Sequence, residues 1–466
     1  MDKKEIDILK SHLSNLVNII FRKFDYGDIL FIDSMEKRIT KDKSTINVNE
    51  DSDRGIKVRI YDGEKFVEWC TSNIDPAYLK KKIIAFVNKT KKRSTHKPFL
   101  AASLLPKTQI NEHYETTPKI NPDKIPLKSK ISKLNKFFKI ISKSKKIINT
   151  RTIYLEESET KIFATKHKAL SQSITSCRVI LMPIVQASTG ELRYHFESFF
   201  ADGFEVTNIP EAKLKNCTKI ALQMIDAGKI KPGTYVAVLS PEVTGLLAHE
   251  SFGHGMEADT IYKDRAKAKS YLNLYIAPTT VSIVDNPAFE GRNGSYYFDD
   301  EGNFAAPTYL IKEGIVGKPI ADIHSAHLLG ITPGSNGRCE SYDHKAYSRM
   351  SNTYFLAGKD KPKDMIKSVK NGIYLHYSSG GMEDPKGWGV QIQGCVGEKI
   401  KNGKLTGEFY YEVGISGYLP EILANISMVG NKLEVPGSGR CGKGHKEWVR
   451  VSEGGPHLKV DKLELA

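Results

Sequence analysis

At 466 residues, 40% hydrophobic and 26% charged, the chain has the length for two domains with separate cores, and it holds no apolar run of about 18 residues that would predict a transmembrane helix. The formal charge of +15 suggests nucleic acid until it is located: residues 1–170 hold 36 Lys and Arg against 21 Asp and Glu, and residues 171–466 hold 33 of each. Lysine outnumbers arginine 55 to 14, a poor composition for reading bases, so solvated lysine faces are expected and direct nucleic-acid binding is not.

The N-terminus, MDKKEIDILKSHLSNLVNII, mixes acids with its lysines and predicts an amphipathic helix rather than a signal peptide, which places the protein in the cytoplasm. Next, GIKVRIYDGEKFVEWC alternates apolar and polar residues on both sides of Asp62-Gly63 and predicts a hairpin. DPAYLKKKIIAFVNKTKKRS predicts a helix, and Lys97 to Pro126 an aperiodic connection with extended pieces. In LKSKISKLNKFFKIISK, Leu127, Ile131, Leu134, Phe138 and Ile141 step by four and three, so they predict the buried stripe of a helix whose lysines face solvent. CRVILMPIVQASTGELRYHFESFF predicts two strands around a Thr-Gly turn, and EAKLKNCTKIALQMIDAG a helix ending near Gly228. These elements make residues 1–232 an N-terminal mixed α/β domain with antiparallel strands.

KPGTYVAVLS begins the second half as a buried strand. Beyond residue 270 the signals are short strands, with hairpin turns at Glu313-Gly314 and Asn402-Gly403 and one clear helix, KPKDMIKSVKNG, closing on its glycine. The overall class is therefore α+β, with residues 233–466 forming a mostly β domain, a barrel-like or curled sheet. The six cysteines lie far apart with no C-x-x-C pair, so free thiols are expected.

The informative stretch is SPEVTGLLAHESFGHGMEAD. Ser240, Pro241 and Glu242 supply an N-cap, a first-turn proline and an acid at the positive end of a helix. His249 and His254 are five residues apart, which in a regular α-helix splays them by roughly 140°. One π-type turn brings them to about 50°, and Gly253 and Gly255 leave the backbone free to adopt it. A distorted helix carrying both imidazoles is predicted. Two such ligands with Glu250 beside the first resemble, at altered spacing, the H-E-x-x-H arrangement in which a carboxylate takes a proton from metal-activated water. The pattern alone also fits two satisfied histidines near a helix end. A third ligand would come from Glu257, His324, His327, Cys339, His344 or Cys441, and Cys441 is set in the flexible, basic segment GRCGKGH that favours thiolate.

HESFGHGMEAD, followed in order by TPGSNGRCESY (332–342), RMSNTYFLAGKD (349–360), ISMVGN (426–431) and CGKGH, resembles the TldD side of the TldD/PmbA family, also described as modulators of DNA gyrase. The resemblance implies a zinc-dependent peptidase acting on unfolded peptides, with one zinc per active subunit. It also implies dimerisation with a PmbA (TldE)-type subunit lacking the metal motif, or with a second copy. Carried over residue by residue, it makes His249, His254 and Cys441 the metal ligands and Glu250 the general base, and it suggests a substrate held as an added strand. Asn336, Arg338 and Glu340 are candidates for lining the cleft, or equally for a structural turn held by an internal ion pair. Two other readings compete: a thiol hydrolase pairing Cys441 with His445 or His457, and a non-catalytic peptide-binding or gyrase-associated scaffold. A serine hydrolase is disfavoured because no G-x-S-x-G occurs.

Overall fold

The computed structural model describes residues 1–94, 98–444 and 446–466. Its first half is built on an eight-stranded sheet whose main path runs Phe66–Thr71, Ile46–Tyr61, Gly27–Lys41, Ile147–Thr165, Lys168–Gln186 and Ile110–Glu115. All pairs on this path are antiparallel except the last. Leu192–Tyr194 and Glu197–Ala201 add to Lys168–Gln186 and complete the two runs expected around the Thr189-Gly190 turn. The hairpin at Asp62-Gly63 is present, with Gly63 at φ +112°.

Alternation along Gly27–Lys41 explains how this sheet is covered. Odd positions face helices: Ile29 and Phe31 pack with Lys3–Ile20 and Pro76–Lys89, while Ile39 packs with Leu127–Ile141 and Glu211–Gln223. Leu30 and Ile32, pointing the other way, pack with Phe298 and Cys339 of the second half. The sheet therefore lies between its own helices and the C-terminal half.

Helix Leu127–Ile141 departs from expectation. Its buried residues are Lys130, Leu134, Phe137 and Ile141, while Leu127 is exposed and Phe138 only partly covered. Lys130 reaches Glu156 at 2.5 Å, and the stripe rotates to admit that buried ion pair. A periodicity count treats lysine as solvent-facing and so assigns the face one residue off.

In the second half, strands Asn371–His376, Gly233–Leu239, Leu458–Leu465, Lys404–Tyr418 and Gly389–Lys401 pair in sequence, and the last returns to the first, closing a five-stranded barrel-like sheet. The fold is α+β with a barrel-like C-terminal sheet, as the strand signals imply. Glu313-Gly314 and Asn402-Gly403 form the expected hairpin turns, all four residues having positive φ. The helix in KPKDMIKSVKNG is shorter than expected, running Pro362–Lys367 with Ser368 as its cap. A further helix, Ile323–Leu329, carries signals at both ends: Asp322 accepts from His324 and Ser325 backbone N–H groups, and Gly330 closes the helix at φ +69°.

A separate six-stranded sheet contains Asn352–Phe355, Lys446–Gly454 and Gly439–Lys443. Leaving the barrel at Leu239, the chain enters helix Pro241–Leu246, which packs between the barrel and this second sheet. Leu247, Ala248, Phe252 and Met256 are all buried in the shared core, fixing the orientation of the residues between them. Among the described residues no helix is long and apolar enough to cross a membrane, and all six cysteines are free thiols.

Candidate metal centre

The distorted turn is real. Helix Pro241–Leu246 passes into a π-helix over Leu247–Gly253, in which the His254 N–H donates to the His249 carbonyl, and a 3₁₀ turn follows at His254–Met256. The wider turn brings the imidazoles of His249 and His254 to 5.3 Å between centroids, nearly perpendicular at 85°. Ser240 occupies the N-cap position, but its hydroxyl donates to Glu242 at 2.6 Å rather than capping a backbone group. Gly253 has an ordinary helical φ of −61°, and its role is spatial: a Cβ there would overlap Met350 Sδ. A Cβ on Gly255 would likewise lie 2.8 Å from both Glu383 Oε1 and Trp388 Nε1. Close packing, rather than backbone freedom, requires these glycines.

Cys441 arrives from strand Gly439–Lys443, 187 residues away, and its Sγ lies 3.3 Å from His254 Nε2. Donor atoms of His249, His254 and Cys441 all fall within 4.8 Å of one another. His249 and Cys441 are 4% and 6% exposed, and His249 Nδ1 is buried without a hydrogen-bond partner. Two imidazoles and a thiolate suit zinc in chemistry and number.

Electrostatics point the same way. Burial pushes the Cys441 thiol up, but the neighbouring His254 and His249 rings outweigh it and hold the thiol well below its ordinary value. Burial lowers His254, yet Cys441 and Glu257 raise it well above the usual imidazole range. His249 likewise ends at about 8, because Cys441 and Glu250 overcome its burial. The neighbouring rings thus favour the thiolate form of Cys441, the form that ligates a divalent cation. Burial raises the Glu250 carboxyl despite the two imidazoles, a suitable condition for a base working near neutral pH.

Glu257, considered as a ligand, belongs to the far side of His254: its Oε2 lies 3.5 Å from Nδ1 while Nε2 faces Cys441. Burial would raise Glu257, but Lys443, at 2.9 Å, and then His254 and Arg349 bring it down to about 2. Arg349, fully buried, also donates to the Cys441 carbonyl at 2.7 Å. Arg349 and Lys443 lie within RMSNTYFLAGKD and CGKGH, but sequence alone does not mark them as partners of the site. Glu383 also went unnoticed: both its carboxyl oxygens are buried and unpartnered beside Gly255.

The remaining candidates lie elsewhere. Asn336 is fully buried and donates to Asp285 at 2.7 Å and to the Arg349 carbonyl at 3.0 Å, so it braces a turn rather than facing a cleft. Arg338 is largely buried and donates to the Met350 and Arg450 carbonyls, and Glu340 accepts from the Glu447 N–H at 2.7 Å. These two border a cavity of about 440 Å³ shared with Arg440 and Trp448. Cys339 donates to Asp300, His344 contacts Ser341 and Asp343, and His324 and His327 pack near Tyr61. His457 lies 3.2 Å from Tyr374 Oη, and His445 is outside the described residues.

Edge strand Gly380–Asp384 passes beside the turn: a Cβ on Gly381 would sit 2.8 Å from Glu250 Cγ. The strand pairs with Gly389–Lys401 on one side, and among the described residues no strand pairs with its other side.

Comparison with known proteins extends over both halves. Residues 232–466 match the family model described as the PmbA/TldA metallopeptidase C-terminal domain. A metalloprotease of Methanothermobacter thermautotrophicus is 30% identical over 318 residues, covering 67% of this chain and 69% of that one. A zinc metalloprotease TldD homolog of Saccharolobus solfataricus is 32% identical over 268 residues, 56% of this chain and 58% of that one. For three bacterial TldD homologs the aligned stretch spans about half of the relative, 52%. Among solved structures, a Thermotoga maritima protein called a modulator of a DNA gyrase superposes with a TM-score of 0.78 at 17% identity, covering 98% of this chain and 99% of the other. TldE from Thermococcus kodakarensis gives 0.73 at 15%, covering 98% and 100%. At such identities the structures speak to the fold alone, whereas the extent of the family-model and metalloprotease matches shows that the chain belongs to the PmbA/TldD metallopeptidase family.

Proposed function

We propose that the protein is a zinc-dependent peptidase in which His249, His254 and Cys441 hold the metal and Glu250 is the general base. The observation that carries this reading is the meeting of the three donors, from a π turn and a strand far away in sequence, with a partly buried carboxylate beside them. A relative named a zinc metalloprotease supports the choice of ion. A bound zinc ion supplies Lewis acidity, easing deprotonation of water near neutral pH and polarising a carbonyl. Glu250 accepts the proton on its carboxylate and returns it to the leaving amine. Glu257 keeps His254 turned with Nε2 toward the centre, and Arg349 fixes the Cys441 backbone. An extended peptide pairs with the free side of Gly380–Asp384, which would lay its backbone beside Glu250 and accept varied side chains, as unfolded substrates require.

The division at residues 232/233 is likewise proposed as a domain boundary, supported by the start of the family match at 232 and of the barrel at Gly233. A TldE-type subunit or a second copy is the proposed partner, since TldE shares the fold. Free thiols support a reducing, cytoplasmic setting.

Glu250→Gln tests the reading. It should retain as much zinc per chain as the unmodified protein while cleavage of an unfolded peptide falls roughly 100-fold or more. Full activity in the variant would remove Glu250 from the chemistry, and activity that survives with no metal bound would shift attention to Cys441 as a nucleophile.

A further inference from the structure

A second group of metal-type donors lies outside the centre described above. We propose that His195, Glu197 and Cys217 form an additional site for a borderline divalent cation of the zinc type. His195 and Glu197 come from the connection after Leu192–Tyr194 and the start of Glu197–Ala201, and Cys217 from helix Glu211–Gln223 packed over the same sheet. One donor atom from each lies within 4.8 Å of the other two, and His195 Nε2 is 3.4 Å from Glu197 Oε1. His195 is 3% exposed and Cys217 is fully buried. An imidazole, a carboxylate and a sulfur together fit zinc better than the hard, oxygen-preferring cations.

Two independent features accompany the cluster. Tyr377 is a non-glycine residue held at φ +54°, and its ring meets His195 edge-on at 4.2 Å. Left-handed backbone at a bulky residue costs energy and concentrates at functional sites. Beside Tyr377, His376 has a buried Nε2 with no hydrogen-bond partner. Of the three donors Glu197 borders a cavity of about 590 Å³, together with Tyr377. Gly439 and Glu453 line the same cavity, so an ion here would occupy the wall of a space adjoining the strand that carries Cys441.

Cys217 Sγ donates only weakly to the Leu181 carbonyl, at 4.0 Å, which leaves the sulfur available to an ion. Burial, with Glu197 adding to it, raises the Cys217 thiol far above its ordinary range. Binding a cation would release the thiol proton to solvent as the sulfur engages the metal.

The test uses the full chain stripped with chelator and reloaded with Zn²⁺, with metal counted per chain after buffer exchange, alongside Cys217→Ser, His195→Gln and Cys441→Ser. Two ions in the unmodified protein and one in each variant is the expected result. One ion in the unmodified protein, retained in Cys217→Ser and His195→Gln, would overturn the proposal. Loss of binding in Cys217→Ser with none in Cys441→Ser would instead sustain this site while sinking the assignment of the first. Because Cys217 is in a core and its variant can misfold, Co²⁺ is also added to Cys441→Ser, where Cys217 is untouched. A thiolate-to-cobalt absorption band there, absent when His195→Gln is added, supports the site, and no band overturns it.

Discussion

His254 has two ring nitrogens, and its neighbours give each a separate task. Glu257 lies against Nδ1, leaving Nε2 to face Cys441. A carboxylate behind a ligating imidazole fixes the ring and raises its basicity, and losing such a partner typically costs 10–100-fold in metal affinity. Glu257→Gln should therefore weaken zinc binding by about 10- to 100-fold in a chelator competition, with the fold retained. If zinc affinity stayed within twofold, Glu257 would be a partner for Lys443 and Arg349 only.

At the scale of the element, a single wider helical turn converts a spacing unsuited to one ion into a convergent pair. The turn is supported from both ends, by burial of Leu247 and Phe252 and by the docking of helix Pro241–Leu246 on strand Lys446–Gly454. Gly245 makes that docking close enough: a Cβ would overlap the backbone of Gly454, which cannot swing aside as a side chain could. Gly245→Ala should destabilise the protein by about 1–3 kcal/mol, measured by urea or thermal unfolding. An unchanged midpoint would show that the two elements can separate without loss.

Across the whole molecule, the N-terminal sheet grips the segment that delivers Cys441. Arg178 donates to the Ser438 carbonyl at 2.9 Å and Ser198 contacts Ser438 at 2.8 Å. Arg440 bridges Glu36, at 2.8 Å, and Glu157, while Arg450 contacts Glu159 and Ser176. Burial would raise Glu157, but Arg450, Arg440 and Arg178 bring it from an ordinary 4.5 down to about 2. A carboxylate so depressed adds stability that is complete above its unfolded value and lost as pH falls toward its folded one. Unmodified protein should therefore lose its thermal advantage over Glu157→Gln between pH 4.5 and about 2. A constant difference in melting temperature across that window would mean that the cluster is not held by charge.

Some of this was legible in the text of the chain because the signals are local. The hairpin turns follow from residues that accept positive φ, the first helices from periodicity, and the π turn from a five-residue spacing that a regular helix cannot reconcile with one ion. The rotated stripe of Leu127–Ile141 was not legible, because only the fold reveals that Lys130 has Glu156 as a buried partner. Nor could spacing choose among six possible third donors, assign Glu257 to the outer side of His254, or turn Asn336 inward. Local backbone preference determines elements and turns. Which distant side chains share one desolvated space is decided by packing, and packing alone brought Cys441 to the histidines and joined His195 and Glu197 to Cys217.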